Sequence, residues 1–193
     1  ITLPAMGGLI VLSREIVQVL FEHGSFGIPA TSATSSALIA FAVGLPFIAG
    51  VRITSNAFYS LQDSKTPVRI ANWSVLVNFA LSLGLMVPLS HVGLALAVSL
   101  ASVFNFVMQL VGFRKKVGRL KLRKILKGVI ETLAATVLMV MVLWGIKRYL
   151  PLWIGREEIF FQVVRLASYI LIGAGVYFLA GLAMKMEEFK ELI

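Results

Sequence analysis

Six stretches of this chain are each long and apolar enough to cross a bilayer, and that constrains the fold more than any other feature. A spanning helix needs about 20 mostly apolar residues at about 1.5 Å each. The intervals 3–22, 33–60, 69–89, 92–113, 127–147 and 159–183 qualify. In lipid a backbone must satisfy its own hydrogen bonds, so the expected fold is an all-α integral membrane bundle of six transmembrane helices. Of the 193 residues 59% are hydrophobic and 14% charged, whereas a soluble domain carries roughly a quarter charged residues. The formal net charge of +9 is gathered between the apolar runs, which points to anionic membrane lipids as partners and away from nucleic acid. Without cysteine there are no disulfides, thiolate metal sites or Cys nucleophiles. The chain enters apolar sequence directly from Ile1 and reads as the interior of a longer protein.

The interval from Ala57 to Arg69 organises the pattern. Thr66-Pro67 predicts a helix start there, with Thr66 capping free N–H groups and Pro67 in the first turn. Lys65 and Arg69 bias this link toward the cytoplasm. The links after the second and fourth runs, counted with the flanking Arg69 and Lys127 and with the tail, hold twelve Lys and Arg, and the other links, counted with the flanking Lys147, hold three. The positive-inside rule therefore puts both chain ends in the cytoplasm. By chain order the expected divisions are four transmembrane helices over 1–113, a basic cytoplasmic link over 114–127, two further helices over 128–184 and a cytoplasmic tail over 185–193.

Within the runs, polar residues mark the candidate sites. Arg14-Glu15 interrupts the first run, either as a pair facing neighbouring helices or as a contact lining a cavity. Gly24 is a candidate stop for that run, and His23 is either a pH-responsive group or simply a solvated interfacial histidine. The second run is expected to begin after Pro29, capped by Thr31 or Ser32. Its residues Ser36, Ala40 and Gly44 form a small-residue face, and Gly44-Leu45-Pro46 predicts a mid-helix kink or hinge. Arg52 lies deep in that run, where it either snorkels to water or faces a hydrated cavity and meets an anion. Asn78 and Ser82 share a helix face at i,i+4, fit for a weak cation site or for interhelical hydrogen bonds. Pro88 and the link Ser90-His91-Val92-Gly93 break the third run from the fourth, where Gly93, Ala97 and Ala101 make a second close-packing face. Arg114 to Lys127 is a basic, amphipathic stretch. Lys147 to Trp153 forms an interfacial basic and aromatic belt.

Leu20-Phe21-Glu22-His23-Gly24-Ser25-Phe26, Gly44-Leu45-Pro46, the interval Phe58-Tyr59-Ser60-Leu61-Gln62-Asp63-Ser64-Lys65-Thr66-Pro67 and Gly93-Leu94-Ala95-Leu96-Ala97 follow one another in a familiar order. In order and spacing they resemble the second half of the MviN/MurJ-type lipid II flippases of the MOP transporter superfamily. Phe58, Tyr59, Asp63, Lys65, Thr66 and Pro67 carry the most specific part of that resemblance. It implies the last six helices of a fourteen-helix, two-lobe transporter of the bacterial inner membrane. The substrate implied is lipid II, the undecaprenyl-pyrophosphate-linked peptidoglycan precursor, moved by alternating access through a cationic cavity. Arg52 is the residue here that the resemblance assigns to that cavity, and the runs at 127–147 and 159–183 are those it places beside a groove for the lipid tail. It further implies the missing N-terminal half as partner and no cofactor other than a coupling monovalent cation, for which Asn78 fits, with Ser82 and Val98 in place of stronger ligands. Related exporters of polysaccharide-lipid intermediates or drugs, and a non-transporting structural module, are the rival readings. No nucleophile–base pair or phosphate loop is visible, so enzymatic chemistry is not expected.

Overall fold

The computed structural model describes residues 1–22, 26–118, 122–149 and 159–184. These are all-helical: α1 (Thr2–Phe21), α2 (Ile28–Ala42), α3 (Leu45–Ser60), α4 (Lys65–Val117), α5 (Leu122–Tyr149) and α6 (Ile159–Ala183). Among the described residues, five segments are long and apolar enough to cross a membrane: α1, the α2–α3 stretch, α4, most of α5, and α6. His23, Gly24, much of the basic stretch around Arg119, the Pro151–Trp153 part of the belt and the tail lie outside the described residues.

Two expected boundaries shift, for identifiable reasons. The second run begins at Ile28, ahead of Pro29, because the first turn of a helix tolerates proline. Thr31 is therefore inside α2 and donates to Glu22 Oε2 at 2.7 Å and to the Gly27 carbonyl at 3.4 Å. At the other boundary, the third and fourth runs form one continuous element, α4, of 53 residues. A straight helix of that length would measure about 80 Å against a hydrocarbon core of about 30 Å. It is not straight: Ser90 has φ 49° and ψ −129°, and the chain reverses there.

Hydrogen bonds and steric contacts hold that reversal within the unit formed by Ser36–Leu120. The Ser74 hydroxyl donates 2.9 Å to the Ala101 carbonyl across the two limbs of α4. A Cβ on Gly93 would lie 2.2 Å from the Leu85 carbonyl oxygen, so only glycine lets the limbs meet so near the turn. Ala97 and Ala101 continue the same buried face, as small residues do where helices pack in lipid without a hydrophobic driving force.

The predicted kink is a full break between α2 and α3. Pro46 brings no N–H, and the Gly44 N–H bonds the Phe41 carbonyl at 3.0 Å, which strips Ala40 of its usual helical donor. The Ser99 hydroxyl, from the second limb of α4, supplies the missing bond to the Ala40 oxygen at 2.6 Å. Gly44 makes room for it, since a Cβ there would fall 2.9 Å from Ser99 Cα. Beyond the break α3 is fastened to α4 by Thr54 and Ser55, whose hydroxyls donate to the buried Gln109 Oε1 at 2.8 and 3.0 Å.

The second unit joins the described residues of Leu3–Ser35 to those of Lys121–Ile193. Packing thus groups α1 with the last two helices, so the chain-order division into 1–113 and 128–184 does not coincide with the division in space. Its core is Leu12 of α1, Met139 and Leu143 of α5 and Tyr169 of α6. Gly173 lets α6 approach, a Cβ there being 3.1 Å from Leu143 Cδ1.

Candidate functional site

Each unit carries its own candidate surface. In Ser36–Leu120, Arg52 is exposed on α3. At about 100° per residue it lies on the side away from Thr54 and Phe58, which are buried. Asn56 and Tyr59, also exposed, follow it at i+4 and i+7, so the three make one exposed polar stripe. Asn56 was missed in the sequence, although its spacing from Arg52 was there to be read.

At the end of α3 the most specific motif turns out to be a clasp. Phe58 is fully buried and meets Phe113 edge-on, with ring centroids 5.4 Å apart. The chain then turns through Gln62, at φ 56°, and the Asp63 N–H bonds the Phe58 carbonyl at 3.0 Å. Asp63 Oδ1 accepts the Thr66 N–H at 3.0 Å, and its other oxygen is paired with Lys116 from the end of α4. These bonds, that from Lys116 foremost and those from Thr66 next, hold the Asp63 carboxyl well below the usual carboxylate range. The helix starts at Lys65 after an N-cap Ser64 that makes no side-chain cap bond, so Asp63, and not Thr66, does the capping. Pro67 is the third helical residue, where a missing N–H still costs no helical bond. Lys65 and Tyr59 stay exposed.

Asn78 and Ser82 do come together: the Ser82 hydroxyl donates to Asn78 Oδ1 at 3.3 Å along the helix. Ser102, one turn on from Val98, donates to the Val98 carbonyl at 2.8 Å. Among the described residues no group of His, Asp or Glu is spaced to hold a metal ion.

The other unit carries a groove of about 890 Å³ between α1, α5 and α6, open on one side. Leu9, Leu12, Met139, Leu143, Ile170 and Phe178 give it an almost wholly apolar lining. Gly8 also borders it, and a Cβ there would meet nothing within 4 Å. Beside the groove, Arg14 and Glu15 are separated: Arg14 is exposed, while Glu15 Oε1 pairs with Lys147 of α5 at 2.8 Å. Lys147 also donates 2.7 Å to the Val11 carbonyl.

Fold and surfaces together define a multi-spanning α-helical membrane protein with a partly open apolar groove. The family profile described as Lipid II flippase MurJ matches residues 1–164. A probable lipid II flippase MurJ of Rickettsia prowazekii is 31% identical over 98% of this chain and 37% of its own length. That of Thermotoga maritima is 27% identical over 100% of the chain and 37% of its length. A solved structure of lipid II flippase MurJ in an inward closed conformation superposes with a TM-score of 0.74 at 26% identity, covering 99% of this chain and 36% of the other. The chain belongs to the MurJ family of lipid II flippases. It spans a little over a third of the length of the relatives it matches. Most of the α6 wall of the groove lies past the profile match and is covered by the structural one.

Proposed function

We propose that this chain forms part of a lipid II flippase, which carries the undecaprenyl-pyrophosphate-linked precursor across the bacterial inner membrane by alternating access. The observation that carries the reading is the apolar groove of α1, α5 and α6. An amphiphile crossing a bilayer has two unequal problems. Its pyrophosphate-sugar head cannot shed water into hydrocarbon and needs a hydrated, basic path. Its polyprenyl tail needs only an apolar channel open to lipid, and the groove supplies one. Arg52, with Asn56 and Tyr59, is the stripe of this chain suited to the head's path, and the remaining length of the protein supplies the other wall. Transport of this kind makes and breaks no covalent bond. Both ends of the chain lie on the cytoplasmic side in this reading, with the basic stretch from Arg114 against anionic lipids. Asn78 and Ser82 are the residues suited to a coupling monovalent cation.

The test exploits the open space at Gly8. In the protein that carries this chain, Gly8→Trp puts a large side chain into the groove from a position where an added Cβ meets nothing within 4 Å. It is expected to abolish rescue of a flippase-depleted bacterium while membrane insertion stays normal. Full rescue would overturn the groove reading. Arg52→Ala is expected to impair rescue in the same assay, and unimpaired growth would return Arg52 to a snorkelling role.

A further inference from the structure

We propose that Lys147 binds the phosphate of a polyprenyl lipid lying in the groove, through the N–H donor that neither Val11 nor Glu15 occupies. The inference rests on the groove reading above and adds to it the residue that fixes which way the tail lies. Lys147 follows the groove-lining Leu143 by one helical turn, and Glu15 adjoins Ile16 and follows Leu12 by one turn, both of which line the groove. The pair therefore stands at one end of the apolar channel. Arg165, one turn before Tyr169 on α6, belongs to the same end, because Gly173 against Leu143 fixes the register of the two antiparallel helices. From Thr132 to Leu143 the α5 wall runs about 17 Å, enough for several isoprene units laid end to end.

The chemistry of the pair leaves Lys147 room for a third partner. Lys147 and Glu15 side chains are 26% and 16% exposed, so both charges are largely removed from solvent yet not sealed. Glu15 Oε2 is buried and has no hydrogen-bond partner, an arrangement that leaves half of a carboxylate unsatisfied. Lys147 has three N–H donors and holds the Val11 carbonyl with one of them. It can keep both that anchor and Glu15 while its remaining N–H is offered to a phosphate oxygen. Near the other end of the α5 wall, Lys127 is also paired, with Glu131 at 3.7 Å, but at 77% exposed it is far more screened by solvent than Lys147. An anionic head joined to a tail in the groove is thus drawn to the Lys147 end.

The experiment measures binding of geranylgeranyl pyrophosphate and of geranylgeraniol, which share one tail, to the full-length protein in phosphatidylcholine nanodiscs. Lys147→Gln should weaken the pyrophosphate about tenfold and leave the alcohol unchanged, the scale of one charge-assisted hydrogen bond. Glu15→Gln should strengthen the pyrophosphate, because Lys147 is no longer neutralised by a carboxylate, and Lys147→Arg should retain binding. The double variant Glu15→Gln/Lys147→Gln, which buries no lone charge, carries the test if Lys147→Gln does not fold, and should match the wild type for the alcohol alone. If both single variants weaken both lipids alike, the pair is a structural clip and the proposal falls. If inorganic pyrophosphate shows the same gain with Glu15→Gln, the site reads a free anion and the lipid assignment falls. If the alcohol does not bind, or Gly8→Trp leaves its binding intact, the groove reading itself has failed.

Discussion

Two ion pairs in this molecule join the same chemical groups and do different work. Asp63 and Lys116 meet in the link before α4, where Lys116 is 46% exposed and the carboxylate also caps a helix. Glu15 and Lys147 meet between α1 and α5, near one end of these spans and largely shielded from solvent, with an acceptor left over. At an aqueous margin a lysine–carboxylate pair is cheap to form, weak and easily screened. Between spanning helices each charge is costly alone, so partners become mutually dependent. Solvent therefore sets what the pair is good for: outside, a local turn; inside, a strong coupling between helices that a further anion can exploit.

The largest effect follows from removing the inner cation. Lys147→Ala leaves Glu15 with neither an ammonium nor a donor for Oε2, and should cost about 3 kcal/mol of stability. The measurement is thermal unfolding in detergent, alongside Glu15→Gln/Lys147→Ala. Restoration of most of the loss by the double variant would show that the stranded charge, and not lost packing, is responsible. An equal loss in both would erase the contrast between the two pairs. A neutral contact inside the spans should fall in between. Ser99→Ala strands the Ala40 carbonyl freed by the break at Gly44, for about 1–3 kcal/mol, read in the same assay.

The sequence made the spans legible because lipid imposes a length and a polarity that any run of residues either meets or fails. It made the breaks legible as well, since Pro46 and the Ser90–Gly93 link act through the backbone. What it could not show is which helices meet: α1 with α5 and α6 is a tertiary outcome, invisible in chain order. For the same reason Glu15 read only as one of two charges facing unspecified neighbouring helices, and its partner, Lys147, is seen to lie on α5. Ser99 gave no signal either, because a single hydroxyl in an apolar run gains meaning only from the carbonyl opposite it. At Asp63 the residues were singled out correctly and the division of labour was not: capping falls to the carboxylate, since the turn at Gln62 carries it back over the Thr66 N–H.

The smallest effect belongs to the outer pair, and pH resolves it. In the folded protein the Asp63 carboxyl is held below its ordinary value of 3.8, by Lys116 first and Thr66 second. A carboxyl whose folded pKa is depressed stabilises the fold above its unfolded pKa and loses that contribution as pH falls toward the folded one. The difference in melting temperature between wild type and Lys116→Ala should accordingly be small and flat from about pH 8 to 5, then shrink below about pH 4 as the carboxyl protonates. Added salt should shrink it at every pH, because an exposed ammonium is screened. Asp63→Asn should remove the pH dependence and keep part of the turn, since its amide oxygen still accepts the Thr66 N–H. A difference that is large, salt-insensitive or titrating near neutrality would mean that the clasp is as dependent on its partner as the buried pair, and solvent would no longer explain how the two differ.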